Sequence, residues 1–273
     1  MTDMSPRAYY DEFADGEWNR LEANPVSRLE FENTIASLEH RLPESGHVLD
    51  AGGGAGRYTI WLAGRGYDVT LVDLSREQVR IAREKADELG VGEQITTQQG
   101  DIRDLPFGSE KFDAVCCLGG PLSHVVSPAE RERALSELQR VAREGVPVFV
   151  SVIGRLATLR DIIKHVPEES HGLLVHLAET GDYTAEAVAE YGSGEGWAEC
   201  HFFRAAELEV DLSEAGFAVE TIAGLEGPAS NMQRELGDAS EEARTSVREL
   251  ACALREDRAV ADCSEHILAV VRT

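Results

Sequence analysis

The sequence predicts an α/β fold built around a mostly parallel sheet, and residues 47–75 carry most of that prediction. A short apolar run from His47 to Leu49 leads into a glycine cluster, a helical segment that ends at Gly66, and a second apolar run from Val69 to Val72. Strand, tight turn, helix and strand in this order form a βαβ unit, whose two strands are parallel. Short apolar runs and amphipathic helices continue to alternate as far as residue 153, as an α/β sheet requires.

The turn inside this unit is suited to a charged or polar ligand. Four glycines follow Asp50, namely Gly52, Gly53, Gly54 and Gly56. Glycine accepts a positive φ and lets the backbone approach a ligand closely. The helix N-terminus behind the turn offers unpaired N–H groups and the positive end of the helix dipole to a carboxylate or phosphate. Asp73, at the end of the second strand, is placed to accept hydrogen bonds from the hydroxyls of a ribose.

The glycine spacing narrows the choice of ligand. The pattern is G-x-G-x-G with an acid two positions before the first glycine, whereas a dinucleotide-binding turn favours G-x-G-x-x-G. It resembles motif I of the class I S-adenosylmethionine (SAM) dependent methyltransferases, and Asp73 stands where that family keeps its ribose-binding acid. Three further segments resemble the family in the same order, Gly100-Asp101-Ile102, Phe112-Asp113-Ala114-Val115 and Glu214-Ala215-Gly216-Phe217. The resemblance covers residues 45–150 and 203–225, together with a final strand.

The resemblance implies a three-layer α/β sandwich with a mostly parallel seven-stranded sheet, an antiparallel last strand and a cap insertion. It also implies S-adenosyl-L-methionine as the cofactor and transfer of its methyl group as the reaction. In the family, the acid that matches Asp101 accepts from adenine N6, and the backbone N–H that matches Ile102 meets N1. The residues expected to bind the cofactor are Trp18, Arg20, Asp50, Ala51, Gly52, Gly54, Gly56, Arg57, Asp73, Leu74, Asp101, Ile102 and Leu118.

The segment before the βαβ unit, residues 1–44, is predicted to be a helical lid. Residues 8–22 are rich in aromatic side chains. In many members of the family such a segment folds over the cofactor, where Trp18 or Arg20 would meet the methionine end. The alternative is a helix packed against the edge of the sheet. A second helix is predicted over residues 25–41, beginning at Pro25.

The cofactor-binding core is predicted to span residues 45–153. After Asp73, Ser75 is a natural N-cap with Gln78 in the capping-box position, so a helix is expected to follow as far as Leu89. The remaining core elements are a strand, a second strand, an amphipathic helix and a third strand, over residues 94–98, 112–117, 129–143 and 145–153.

Residues 154–202 match no core element and are too long for an ordinary connection between a strand and the next helix. We interpret them as a cap over the pocket for the methyl acceptor, assisted by a rim loop at 224–228. The C-terminal part, residues 203–273, returns to the sheet. Its predicted elements are a helix, a strand, a second helix and a closing strand, over residues 204–215, 217–222, 241–255 and 266–271.

The expected acceptor is a small molecule. The segment after the fourth predicted strand, Leu118-Gly119-Gly120-Pro121, lacks the N/D-P-P-Y motif of DNA amino-methylating enzymes, and the chain has no Pro-Cys dipeptide of the kind used by RNA cytosine-C5 enzymes. Two rival functions stay open. One is a non-catalytic protein that binds SAM or S-adenosylhomocysteine. The other is an NAD-dependent oxidoreductase, against which the glycine spacing counts.

Two histidines are candidate general bases. His124 lies just past the fourth strand, and His201 lies at the end of the cap. A neutral imidazole can take a proton from a hydroxyl or an amine near neutral pH. For each, the alternative is a hydrogen-bonded structural histidine. No metal site is expected, because His165, His171 and His176 have spacings that do not place them on one helical face.

Composition indicates a cytoplasmic protein. The five cysteines include the adjacent pair Cys116-Cys117 but no C-x-x-C, which is typical of reduced and buried thiols. No apolar run approaches the ~20 residues of a membrane-spanning helix, and the N-terminus lacks the pattern of a signal peptide. We therefore expect no membrane association. The oligomeric state stays open.

The chain is strongly acidic. It carries 50 acidic and 26 basic residues, for a net charge of −24, and its three lysines are Lys85, Lys111 and Lys164. Acidity spread along the chain with little lysine resembles the composition of halophilic proteins, since screening by salt shortens the reach of self-repulsion. The alternative is an ordinary acidic bacterial protein. In either case the net charge would repel a nucleic-acid backbone, so no nucleic-acid partner is expected.

The halophilic interpretation predicts that salt stabilises the fold. Thermal unfolding measured from low to molar KCl should show a rising melting temperature, because screening relieves repulsion among the excess acidic groups. A melting temperature that stays level or falls over this range would favour the ordinary acidic protein.

Overall fold

One seven-stranded sheet forms the centre of the protein, as seen in the computed structural model, which describes residues 5–166, 171–192 and 197–273. The strands are β1 (His47–Ala51), β2 (Asp68–Asp73), β3 (Ile95–Gln99), β4 (Ala114–Cys117), β5 (Pro147–Ile153), β6 (Asp182–Tyr183), β7 (Cys200–His201), β8 (Ala218–Gly224) and β9 (His266–Arg272). The order across the large sheet is β3-β2-β1-β4-β5-β9-β8, and β6 and β7 form a separate two-stranded ribbon.

Helices cover both faces of the sheet, and further helices lie before β1 and between β5 and β7. They are α1 (Pro6–Phe13), α2 (Asp15–Arg20), α3 (Pro25–Arg41), α4 (Arg57–Ala63), α5 (Arg76–Glu88), α6 (Pro128–Val141), α7 (Arg155–His165), α8 (His171–Thr180), α9 (Ala185–Tyr191), α10 (Ala205–Glu214), α11 (Gln233–Gly237), α12 (Glu241–Leu254) and α13 (Arg258–Asp262). Within the described ranges, no helix has the length and apolar character needed to span a bilayer.

The strand directions confirm the predicted sheet. Strands β1 to β5 pair in parallel, and β9 pairs antiparallel with both β5 and β8. The chain order reverses between β1 and β4, so the crevice beyond the carboxyl ends of these strands is the expected ligand site of such a sheet.

Buried side chains on both faces of the sheet explain the three layers. Leu49, Val115 and Val150 belong to one hydrophobic cluster together with residues of α6 and α10. Their neighbours Val48, Ala114 and Phe149 belong to a second cluster with residues of α3 and α4. Successive residues of a strand point to opposite faces, so near-continuous apolar strands require helices on both sides.

Most predicted elements are present within a few residues of their expected bounds, and α3 begins and ends as predicted. The N-terminal segment differs, since it forms two short helices that are divided at Ala14, where φ is 45°. The segment 154–202 contains α7, α8, α9 and the β6–β7 ribbon. The predicted glycine-rich turn at 192–196 lies, apart from Gly192, outside the described residues.

A buried network of ion pairs joins the N-terminal segment to the last strand. Both Glu30 oxygens accept from Arg20, at 2.6 and 3.0 Å. His266 Nδ1 lies 2.7 Å from Glu226 Oε1 and 3.5 Å from Glu30 Oε2. Among the described residues, only the Glu30–Glu226–His266 group brings three potential metal-ligating atoms within 4.8 Å of one another. Arg20 and a protonated His266 already neutralise these carboxylates, so the group is explained as an ion-pair network.

Protonation of His266 should stabilise the fold. Burial alone would lower its pKa, but the charges of Glu30 and Glu226 and the hydrogen bond to Glu226 outweigh burial and raise the pKa to about 9. A histidine whose pKa is raised by folding contributes its full stability below about pH 6.5, and that contribution is lost as the pH rises through about 9.

We therefore expect the free energy of unfolding to fall between about pH 6.5 and pH 9, by up to ~3 kcal/mol from this group. Urea unfolding of the wild type and of His266→Gln across this range measures the effect, and the variant should be less stable at pH 6.5 with a flatter pH profile. Equal pH slopes for the two proteins would contradict the charged network.

Candidate functional site

The glycine turn after β1 is attached to the end of β2. The N–H groups of Gly52 and Gly53 both donate to the Val72 carbonyl, at 2.7 and 3.2 Å. Gly52 has φ 77°, and a Cβ at this position would collide with the ring of Pro121. The turn therefore requires glycine both for its backbone conformation and for the close approach of the loop that follows β4.

Asp73 is fixed in orientation by this turn. Its Oδ2 accepts from the Gly54 N–H at 2.9 Å, and its Oδ1 accepts from the Ser75 N–H at 2.8 Å. Burial, with smaller contributions from Glu17 and Asp11, raises the pKa of Asp73 to about 6 despite these two bonds. Each carboxylate oxygen keeps a further lone pair, so Asp73 can still accept from two hydroxyls.

The glycine turn and Asp73 line a cavity of about 320 Å³. The predicted site residues on its wall are Arg20, Gly52, Gly54, Arg57, Asp73, Leu74, Asp101, Ile102, Leu118 and His124. The predicted site residues that are not on its wall are Trp18, Asp50, Ala51, Gly56 and His201. Most of the expected cofactor residues are thus brought together around the carboxyl ends of β1, β2, β3 and β4.

Asp50, Ala51 and Gly56 support the turn from behind instead of lining the cavity. Asp50 is fully buried, and its Oδ2 accepts from the Thr59 hydroxyl at 2.6 Å. Burial raises the pKa of Asp50 to about 6. Ala51 is equally buried in the core, and a Cβ at Gly56 would lie 3.1 Å from Ala82 of α5.

Of Trp18 and Arg20, only Arg20 lines the cavity, because residues two positions apart on a helix do not share a face. Arg20 lines the cavity and is held there by Glu17, at 2.9 Å, and by Glu30. The Trp18 ring instead lies 4.7 Å from the Arg57 guanidinium in a cation–π contact. Trp18 therefore attaches α2 to the start of α4.

Asp101, on the cavity wall, is paired with Arg103, which was not among the predicted site residues. Arg103 Nη2 lies 2.6 Å from Asp101 Oδ2, and Arg103 Nε lies 2.9 Å from Oδ1. Burial would raise the pKa of Asp101, but the bonds from Arg103 lower it overall. Leu74 and Ile102 supply apolar wall beside this pair, as a flat heterocycle requires.

Helix α1 in the N-terminal segment contributes cavity residues that were not among the predicted site residues, including Pro6, Arg7 and Tyr10. Gln78 does not complete a capping box with Ser75. Its side-chain Nε2 donates instead to the carbonyls of Tyr10 and Ala14, at 3.0 and 3.1 Å. Only the structure reveals this contact, because it shows that Gln78 is fully buried together with the apolar residues of α5.

His124 lies on the cavity wall in a 3₁₀ turn, Pro121–His124, that follows β4. The Ile153 N–H donates to the Ser123 hydroxyl at 2.9 Å and holds the turn on β5. His124 Nδ1 lies 2.9 Å from the Glu199 carbonyl, and Nε2 lies 3.0 Å from the Tyr10 hydroxyl. Burial lowers the pKa of His124, although the Glu199 carbonyl opposes the shift, so the ring is neutral near pH 7.

His201 is a structural residue in this arrangement. Its side chain is 3% exposed, and both ring nitrogens face carboxylates, Asp182 at 2.5 Å and Glu207 at 2.9 Å. Burial would lower its pKa, but these two hydrogen bonds raise it, so the ring is held as an imidazolium with no lone pair to accept a proton. The ion pairs join the β6–β7 ribbon to α10. The structure therefore does not support His201 as a general base.

Comparison with known proteins identifies the family. A sequence model of the methyltransferase domain matches residues 48–145. The ubiquinone biosynthesis O-methyltransferase of Xylella fastidiosa is 31% identical over 233 residues, which cover 85% of this chain and 80% of that protein. This chain belongs to the class I SAM-dependent methyltransferases.

Two further relatives of this methyltransferase are informative. Methyltransferase GfsG of Streptomyces halstedii is 29% identical over 140 residues, about half of each protein (50% and 49%). The CcbJ methyltransferase of Streptomyces caelestis has a similar fold, with a TM-score of 0.63 over 99% of both chains at 18% identity. At this identity, the structural likeness supports the fold alone.

The cavity fits the cofactor of the family. Its volume falls in the range of small-molecule sites, the Gly52 turn leaves no side chain between backbone and ligand, and Asp73 presents two free acceptor positions. S-adenosylmethionine would lie with its ribose at Asp73, its adenine beside Leu74 and Ile102, and its methionine end towards Arg20. The family assignment removes the NAD-dependent oxidoreductase as a rival.

Removing the Asp73 charge should weaken SAM binding. Asp73→Asn loses a charge-assisted hydrogen bond worth roughly 1.5–3 kcal/mol, which corresponds to a ~10–150-fold higher Kd. Isothermal titration with SAM measures it, and Asp68→Asn, at the exposed start of the same strand, is the matched control.

The ionisation of Asp73 supplies a second readout. Because its pKa is about 6, the wild-type affinity for SAM should rise from pH 5 to pH 7 as the carboxylate forms, and Asp73→Asn should show a smaller rise. Unchanged affinity in a folded Asp73→Asn protein would contradict the assignment of Asp73 to the ribose.

Proposed function

We propose that this methyltransferase transfers the methyl group of SAM to a hydroxyl group of a small molecule, with His124 as the general base. The observation that carries the proposal is a neutral imidazole on the wall of the cofactor cavity. A hydroxyl is a weak nucleophile until its proton is removed, and an imidazole of lowered pKa can take that proton near pH 7. The relative from Xylella fastidiosa, whose name is that of an O-methyltransferase, supports the same class of acceptor.

The surroundings of the cavity favour a small acceptor. The lid supplies Pro6, Arg7 and Tyr10 to the wall, and the cap segment supplies Glu199. Walls from both segments leave a pocket instead of an open groove. The net charge of −24 also opposes binding to a nucleic-acid backbone.

The protein's own contribution is alignment, exclusion of water and removal of one proton. SAM supplies an activated methyl group that already carries its leaving group. Asp73 and the glycine turn orient the ribose, and the lid reduces access of water to the cavity. His124 is the group on the cavity wall that takes up this proton as the acceptor oxygen becomes methylated.

We also propose a cytoplasmic and salt-adapted protein. All five cysteines are free thiols, and three of them are buried, as suits a reducing compartment. The excess of acidic residues and the scarcity of lysine support adaptation to salt.

The proposal predicts SAM-dependent methylation of hydroxylated small molecules. A panel of phenols, alcohols, amines and thiols with radiolabelled SAM tests it. His124→Gln should lower turnover ~10²–10⁴-fold while leaving the Kd for SAM unchanged, since glutamine cannot take up the proton. His40→Gln, an exposed histidine on α3, is the control.

A protein that binds SAM but methylates no member of the panel would support the rival non-catalytic role. Methylation that proceeds equally well in His124→Gln would keep the methyltransferase activity and remove His124 as its base.

A further inference from the structure

The partners of His124 define which nitrogen carries its proton. The Glu199 carbonyl can only accept, so His124 Nδ1 is the protonated nitrogen that donates to it. In the neutral ring, Nε2 then has one lone pair and no hydrogen. The Tyr10 hydroxyl, 3.0 Å away, must therefore donate its proton to Nε2.

This hydrogen bond occupies the basic position of the imidazole. The lone pair of Nε2 is used by Tyr10, so an acceptor hydroxyl cannot reach it while the pair is intact. The Tyr10 oxygen still has lone pairs, and Tyr10 lines the cavity beside the cofactor residues. The position open to an acceptor's proton is therefore the phenol oxygen of the lid, not the imidazole behind it.

The placement of Tyr10 is supported on several sides. Its ring meets the His124 ring edge to face, with centroids 5.3 Å apart and planes at 81°. Its backbone carbonyl accepts from Gln78 at 3.0 Å. The next residue, Asp11, accepts from the Ser75 hydroxyl at 2.6 Å, and this bond holds α1 against the N-terminus of α5.

The cap supports the same pair from the other side. The Trp197 ring lies edge to face with the His124 ring, at 5.8 Å and 70°, and with the Tyr9 ring, at 6.1 Å and 90°. Lid, cap and the turn after β4 therefore meet at the Tyr10–His124 hydrogen bond.

We propose that Tyr10 is a catalytic residue that relays the acceptor's proton to His124, an inference that rests on the proposed methylation of a hydroxyl. The acceptor hydroxyl donates to the Tyr10 oxygen, and Tyr10 donates to His124 Nε2. As the acceptor oxygen bonds to the methyl carbon and the carbon–sulfur bond breaks, the acceptor's proton passes to Tyr10 and the proton of Tyr10 passes to Nε2. The sulfonium charge is thereby replaced by an imidazolium charge, and the total charge is unchanged.

The electrostatic surroundings suit a relay that holds no permanent charge. Burial, with smaller effects from Glu17 and Cys200, raises the pKa of Tyr10 well above its ordinary value, and Arg20 opposes this shift only in part. A tyrosine of high pKa with a histidine of lowered pKa keeps both groups neutral near pH 7. The tyrosine then passes a proton on without accumulating as a phenolate.

Removing one oxygen atom tests the relay. Tyr10→Phe should lower kcat ~10²-fold or more while leaving the Kd for SAM unchanged, and the KM for the acceptor should rise by a smaller factor because one hydrogen bond to the acceptor is lost. Tyr9→Phe, the neighbouring tyrosine on the same helix, is the matched control because Tyr9 is absent from the cavity wall.

Two further measurements separate a relay from a structural role. In the double variant Tyr10→Phe/His124→Gln, kcat should fall no further than in His124→Gln alone, because the two residues act on one proton. NMR titration of the His124 ring in protein without acceptor should show a higher pKa in Tyr10→Phe, since the neutral ring loses a hydrogen bond that favours it.

The outcomes distinguish the relay from the function it rests on. Wild-type turnover with undiminished kcat in Tyr10→Phe overturns the relay and indicates that the acceptor displaces Tyr10 from Nε2. An unchanged pKa of His124 in Tyr10→Phe likewise overturns it. If the wild type binds SAM but methylates no acceptor, the proposed function fails and the relay fails with it.

Discussion

The attachment of the glycine turn to the end of β2 is the constraint on which the site depends. Two N–H groups of the turn donate to the Val72 carbonyl, and the next residue, Asp73, accepts from the Gly54 N–H. The carboxylate and the turn are thus positioned by hydrogen bonds of backbone N–H groups at the ends of two adjacent parallel strands. Because both strands are buried, this geometry can hardly shift without disturbing the core.

The site is completed by segments outside the core sheet. The N-terminal segment is attached through Gln78, whose buried amide donates to the Tyr10 and Ala14 carbonyls, and through Asp11, which accepts from Ser75 at the start of α5. Glu199 and Trp197, from the segment between β5 and α10, contact His124 at the same place. The cavity in this protein is therefore completed where three separate parts of the chain meet, and its wall depends on each of them.

Histidines in this acidic chain take different roles according to their neighbours. His201 and His266 each face two carboxylates, which outweigh the cost of burial and raise their pKa values. His124 faces a carbonyl and a phenol, neither of which carries a charge, so burial dominates and lowers its pKa. The first two are cations that hold elements together, whereas the third keeps a basic form that can accept a proton.

Local signals in the sequence were sufficient for the sheet, the glycine turn and the acid at the end of β2. The period of apolar residues and the glycine spacing act over a few residues, so Gly52, Gly54 and Asp73 could be placed before any tertiary contact was known. Only the tertiary structure determined which groups each of these side chains contacts. His201 and His124 were both predicted as candidate bases, but Asp182 and Glu207, from two other elements, make His201 an imidazolium. The Tyr10 hydroxyl forms a hydrogen bond with His124, which lies 114 positions away in the sequence. Such pairings depend on how distant segments pack, and that packing determines the protonation states on which the chemistry rests.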